Sequence, residues 1–189
     1  MLEHKGTVKL ETERIILRRW ELGDAQDLFD YAKDPDVTTY VGFEPHASVE
    51  VSQKLLEDGW VNYEDIAKYK WAMMDKESGR VIGDISLVKV NDRHRFCEFG
   101  FSMKKEFWGK GIMTEVTARI IEFLFEEIGM HRIEIRCAPE NIGSRRVIEK
   151  NGLAYEGHLR ECYFTHGKFL DSLVFGILKP DYDKQKNKK

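Results

Sequence analysis

The run Phe107-Trp108-Gly109-Lys110-Gly111-Ile112-Met113-Thr114 constrains this 189-residue chain more than any other stretch. A strand-like segment, Glu98-Phe99-Gly100-Phe101-Ser102-Met103, leads into it, and a long amphipathic segment, Thr114 to Ile128, leads out. A strand, a turn with two glycines and a helix form an arrangement that binds phosphates. Glycine lets the backbone approach a ligand closely. The N–H groups of the first helical turn then point at the anion, and the helix dipole adds partial positive charge. The spacing of the P-loop is absent, and so is the three-glycine dinucleotide fingerprint. An ordinary turn feeding a helix is the alternative reading.

The length suits one domain with one core, taken as residues 1–180. With 42% hydrophobic and 33% charged residues the composition is that of a soluble globular protein, and a net charge of -3 argues against nucleic-acid binding. No apolar run approaches the ~20 residues that cross a bilayer. The opening Met1-Leu2-Glu3-His4-Lys5 lacks the apolar core of a signal peptide. Cys97, Cys137 and Cys162 are odd in number and lack metal-ligand spacing, so no metal and a reducing cytoplasm are expected. Cys137 and Cys162 are expected to pack as small apolar residues.

Taken in order, Val8 to Arg19 reads as a first strand. Asp24 is a good N-cap for a helix holding Ala25, Leu28, Phe29 and Ala32, and Asp34-Pro35 stops it. A second helix runs from Ser48 to about Tyr63. Tyr69–Met74 and Arg80–Val90 form a hairpin, and Arg95–Met103 is the strand entering the glycine loop. Met113, Val116, Ile120, Leu124 and Ile128 give the next helix an apolar face, and Gly129 ends it. Arg132–Cys137 is a short buried strand, Asn141–Asn151 a helix closed by Gly152, and Leu153–Phe164 with Phe169–Leu178 a final hairpin. Residues 181–189 read as a charged, mobile tail.

The glycine loop resembles the pyrophosphate loop of the GNAT (GCN5-related) N-acetyltransferases, Gln/Arg-x-x-Gly-x-Gly/Ala. Trp108 stands in the Gln/Arg position and Met113 replaces the last small residue. Trp-Gly-Lys-Gly is usual in the RimJ/RimL-type branch of that family. The opening Leu10-Glu11-Thr12-Glu13-Arg14-Ile15-Ile16-Leu17-Arg18 and the strand Gly83-Asp84-Ile85-Ser86-Leu87 also resemble it. A second motif follows in family order: Asn141 to Leu153 is similar to Asn-x-x-Ala/Ser-x-x-x-Tyr-x-x-x-Gly-Phe. Asn141, Ser144, Arg145 and Ile148 are spaced to share one helical face. The alternative for Asn141 and Ser144 is helix capping.

The resemblance implies an α/β (α+β) fold: one mixed, largely antiparallel twisted sheet of about seven strands with about four helices. It implies acetyl-CoA as cosubstrate. Pantetheine is expected on main-chain groups of Phe101, Ser102 and Met103 and on Asn141 and Ser144. The pyrophosphate is expected at Trp108, Gly109, Lys110, Gly111, Ile112, Met113 and Thr114, and an adenosine phosphate at Arg145. A general base must take a proton from the acceptor amine. Glu98 and Glu161 are the candidates, each with a surface ion pair as its alternative. Ile148 replaces the Tyr that protonates the leaving thiolate in many relatives. Either Ser144 takes that role or the thiolate leaves as such.

The branch implies the N-terminal α-amine of a ribosomal protein as acceptor. A small amine is the alternative, favoured if Asp34, Asp36, Glu44 and Glu50 make the acceptor mouth acidic. A non-catalytic acyl-CoA-binding module is a third reading. Neither nucleic acid nor membrane is expected as a partner. The aromatics Tyr163, Phe164 and Phe169 suit a dimer contact or a cleft lining, so monomer and homodimer both stay open.

Overall fold

The computed structural model describes residues 2–187, and eight strands and six helices lie among them. They run β1 (Leu10–Glu11), β2 (Ile15–Arg18), α1 (Ala25–Ala32), α2 (Pro35–Thr38), α3 (Val49–Leu55), β3 (Lys70–Asp75), β4 (Val81–Asn91) and β5 (Phe96–Met103). Then come α4 (Ile112–Phe123), β6 (Arg132–Cys137), α5 (Ile142–Lys150), β7 (Ala154–Thr165), β8 (Lys168–Leu178) and α6 (Lys179–Lys186). The strands form one mixed sheet in the order β1-β2-β3-β4-β5-β6-β8-β7.

The eighth strand arises because the expected strand Val8–Arg19 breaks in two. Thr12 closes a tight turn: its N–H donates to the Ile15 carbonyl at 2.9 Å, and its hydroxyl accepts from the Ile15 N–H at 3.0 Å. Two further helices are short or charged, which hides them from apolar periodicity. Asp34 caps α2 by accepting from the Asp36 N–H, with Pro35 in its first turn.

Contacts divide the chain into two compact units that interleave in sequence. The first comprises Lys5–Ser86 and Phe101–Ile112. Its core gathers Trp20, Leu28, Tyr31, Leu56, Ala72 and Val81 into one cluster. Residues of α1 enter it at helical spacing, as the sequence pattern requires. Asp24 precedes α1 but gives it no side-chain cap bond. It accepts instead from the Glu21 N–H at 2.9 Å and pairs with Arg18 at 2.7 Å, because a charged partner outcompetes a cap. The helix begun by α3 continues as a π-helical turn to Trp60, short of Tyr63, where Gly59 takes φ +136°.

Within this unit β4 and β5 approach closely at Gly83. A Cβ there would sit 2.9 Å from Met103 Cα and closer still to the Ser102 carbonyl. Only glycine leaves room for that approach.

The second unit holds residues up to 4, Leu87–Gly100 and residues from 113 on. Here α4 connects β5 to β6 as a crossover between parallel strands. It buries Met113, Val116, Thr117, Ile120 and Phe123, continues as a π-helical turn over Leu124–Ile128, and Gly129, at φ +83°, ends that continuation. Ile133 and Ile135 of β6, with Phe175 and Ile177 of β8, complete the core.

Residues 181–186 are helical rather than the mobile tail that their charge suggests. The Gln185 side chain donates to the Gly152 carbonyl at 3.1 Å, Tyr182 packs on Phe125, and Lys186 pairs with Glu126. Positions 188–189 of the expected tail lie outside the described residues.

The cysteines also divide. Cys97 and Cys137 are buried, and burial pushes the Cys137 thiol up to about 11. Cys162 is exposed, against the expectation of packing, because it sits in a bulge of β7. On the hairpin, Phe164 and Phe169 are exposed and meet edge-on at 5.0 Å, while Tyr163 is half-buried.

Gly83→Ala is expected to destabilise the chain by about 2–3 kcal/mol, the upper range for overpacking a filled site. Urea unfolding followed by circular dichroism measures it. A midpoint equal to wild type would show that the two strands separate freely at this point.

Candidate active site

In the first unit the strand end and the glycine loop are tied together. Trp108, expected as a loop residue, donates its indole N–H to the Met103 carbonyl at 2.6 Å and remains 45% exposed. Met103 and Ser102 are nearly buried, and Phe101 is half-buried. Gly109 and Gly111 take φ +75° and +79°, the left-handed region in which a side chain is strained. They turn the chain into α4 at Ile112. The N–H groups of the first turn of any helix have no intrahelical carbonyl partner, so they face outward as donors. The turn has a support that sequence reading missed. Arg14, from the turn between β1 and β2, donates to the Lys110 carbonyl at 2.8 Å. Nothing local in the sequence signals a contact 96 residues long.

In the second unit the parallel register of β5 with β6 covers Phe96, Cys97 and Glu98 against Arg132, Ile133 and Glu134, and goes no further. Both strands continue beyond it. Among the described residues no pair beyond Glu98 and Glu134 belongs to that ladder. Glu98 stands at the last paired position and lies 3.5 Å from Arg136. Burial raises its carboxyl above the usual range. Arg136 counters that, and Glu134 adds to it. Glu134 is itself buried between Arg132 and Arg136, at 2.8 Å from each. Arg132 and Arg136 were not singled out in sequence, since a charged residue on a short strand reads as solvated.

The second motif divides between two roles. Asn141 accepts from the Ser144 N–H at 3.0 Å and so caps α5, the alternative weighed for it. Ser144 is half-buried, and Arg145 is half-exposed and pairs with Glu149 at 2.8 Å. Ile148 is fully buried, so the four positions do not form one presented face. An isoleucine at that place turns to the core because burial of its apolar surface decides the helix orientation. Met113 is buried, while Thr114 is half-buried and its carbonyl accepts from Asn151 at 3.3 Å.

Glu161 lies in a bulge where β7 residues 160–162 oppose Asp171 alone, with φ +45°. Its N–H donates to Asp171 at 2.8 Å, and Asp171 also pairs with His158 at 2.6 Å. These residues, with Arg160 and Cys162, line an open depression of about 750 Å³. Both candidate bases thus belong to the second unit. Of the acidic groups considered for an acceptor mouth, Asp34 is spent on capping and Asp36 pairs with Lys105. Among the described residues no three His, Cys, Asp or Glu cluster closely enough to hold a metal, and no helix is long and apolar enough to cross a membrane.

The chain is similar to an uncharacterized N-acetyltransferase of Bacillus licheniformis, p20. The two are 29% identical over 180 residues, covering 92% of this chain and 97% of that one. It is 34% identical over 108 residues to YdaF of Bacillus subtilis, a protein named provisionally as a ribosomal N-acetyltransferase, over 57% of this chain and 59% of that one. Among solved structures it is similar to a spermidine N-acetyltransferase of Vibrio cholerae in complex with CoA and spermine. That match has 27% identity and a TM-score of 0.75, over 89% of this chain and 97% of that one. Residues 14–154 match the acetyltransferase (GNAT) domain, and the chain belongs to this family of acetyl-CoA-dependent acetyltransferases.

Proposed function

We propose that the chain transfers the acetyl group of acetyl-CoA to a primary amine of a small cationic molecule, with the glycine loop as the diphosphate cradle. One observation carries this: two left-handed glycines turn the chain into α4 at the end of β5, whose parallel ladder has already stopped. The N–H groups of Gly109 to Thr114 suit the diphosphate. Main-chain groups of Phe101, Ser102 and Met103 suit the two amides of the pantetheine arm, as a ligand strand beside a sheet edge does. Trp108 fixes the loop to the strand. Asn141 and Ser144 border the arm, and Arg145 meets the adenosine phosphate.

Bound acetyl-CoA supplies a thioester carbonyl that an amine attacks, with the C–S bond breaking. Glu98 takes the proton that the amine must lose. Its half-buried carboxylate is raised toward the working pH, which suits a base. Glu161, exposed and carried on a bulge, is the second candidate. Ser144 delivers a proton to the departing sulfur, or the thiolate leaves without one, as a thiol pKa near ~8.5 permits.

The small-amine reading is supported by a relative that aligns over nearly its whole length, a spermidine N(1)-acetyltransferase of Vibrio cholerae. Trp108-Gly109-Lys110-Gly111 favours a second reading, a protein N-terminal α-amine of the RimJ/RimL type. Thiol release from acetyl-CoA with a polyamine panel and an N-terminal peptide panel separates them. Turnover confined to the peptides would overturn the first reading.

Gly111→Val puts a branched side chain at φ +79° and is expected to abolish acetyl-CoA binding in isothermal titration. Normal affinity would place the diphosphate elsewhere. Glu98→Gln is expected to lower kcat about 100-fold with acetyl-CoA affinity kept. In wild type kcat/KM should fall as pH drops through the Glu98 pKa. Arg136→Gln removes the cation that lowers that pKa and should move the acid limb to higher pH. An unmoved limb would assign the base to Glu161 or to water.

A further inference from the structure

Asp84, in the middle of β4, has no part in the roles above. It lies opposite Ala72 of β3. Its Oδ1 accepts from the Tyr31 hydroxyl of α1 at 3.1 Å and also from the Ser102 hydroxyl of β5. Tyr31 is fully buried and Ser102 nearly so. Its Oδ2 has no hydrogen-bond partner among the described residues, yet part of the residue stays open to solvent. No cation of the described residues pairs with it. Asp24 before α1 and Asp27 and Asp30 within it each have a cation: Arg18 for Asp24, Arg80 for Asp27, and Lys33 for Asp30.

Three groups face Asp84 from the elements around it: Tyr31 from α1, Ser102 from β5 and Lys70 from β3. Lys70 attracts it without forming an ion pair. The Lys70 ammonium lies over the Trp60 ring, 4.4 Å from its centroid, and burial lowers its pKa. Burial raises the Asp84 carboxyl, and the two hydroxyls and Lys70 only partly offset that. Two residues along the same face, Ser86 has a buried hydroxyl oxygen with no partner. Two positions along a strand span about 7 Å, so these two side chains are successive neighbours on the same side of β4. A carboxylate withdrawn from water among neutral donors lacks a counter-charge. An ammonium brings that charge and three donors, enough for both oxygens.

We propose that Asp84 Oδ2 and Ser86 Oγ form a subsite for a primary alkylammonium group of the acceptor, an inference that rests on the acetyl-transfer reading above. The nitrogen held there keeps its proton more tightly, because a neighbouring carboxylate favours the charged form. It is therefore not the nucleophile, and the acceptor carries a second nitrogen that is acetylated. Asp84 selects a di- or polyamine and sets its position.

The test is titration calorimetry with spermidine, beside thiol release with spermidine and acetyl-CoA. Wild type is expected to bind spermidine, and Asp84→Asn to bind it at least about tenfold more weakly. The amide still accepts from both hydroxyls, so folding is preserved. Ser86→Ala, which touches no partner, should weaken binding about threefold. Acetyl-CoA affinity should be unchanged in both. Binding requires the carboxylate, so it weakens as pH falls through the Asp84 pKa. Tyr31→Phe removes a donor that lowers that pKa, and its loss of binding should begin at higher pH. A wild type that binds no spermidine, or an Asp84→Asn that binds it equally, overturns the subsite. Binding that follows Asp84 without any thiol release would uphold the subsite and overturn the transfer reading.

Discussion

The parallel ladder between β5 and β6 closes for three residue pairs and then stops. This interruption is what the candidate site depends on. A sheet normally uses up its backbone donors and acceptors, which leaves nothing for a ligand. Where the ladder ends at Glu98 and Glu134, the main chain of β5 regains hydrogen-bonding capacity just before it enters the glycine loop. The half-buried Glu98 stands at that point. Its raised carboxyl reflects the same geometry, since a strand end enclosed by protein is poorly hydrated.

Charge is arranged differently within each of the two units. In the second unit Glu98, Arg136, Glu134, Arg132 and Glu156 alternate in sign and satisfy one another. Such a network fixes side chains that would otherwise be mobile and gives the buried Glu134 two cationic partners. In the first unit Asp84 receives hydroxyl donors and the attraction of Lys70, with no ion pair among the described residues. A satisfied network reads as structure, whereas an uncompensated carboxylate with an open face reads as a site. That contrast, rather than the number of acidic residues, separates Asp84 from Asp34 and Asp36, whose charges already have work in capping and pairing.

Elements with an apolar period were legible from sequence. The helix from Ile112 shows its buried face through Met113, Val116 and Ile120, and the hairpin at Asp75-Gly79 announces itself by turn residues. The glycine loop was legible because Gly109 and Gly111 report on backbone angle, a local property. Polar elements were not. The helix α6 is stable through Tyr182, Gln185 and Lys186, each of which has its partner on a distant element. The face expected of α5 was misjudged at Ile148, since spacing fixes which residues share a side but not which side points inward.

The amino-acid sequence by itself determined the order of elements, the glycine turn into a central helix and the family motifs. All of these depend on residues close together in the chain. Tertiary structure alone decided where the β5–β6 ladder stops, that Arg14 supports Lys110, that Arg136 meets Glu98, and that Tyr31 and Ser102 converge on Asp84. The physical reason is that charge compensation and hydrogen bonding act across space. A carboxylate has no fixed role until folding decides which donors and cations surround it.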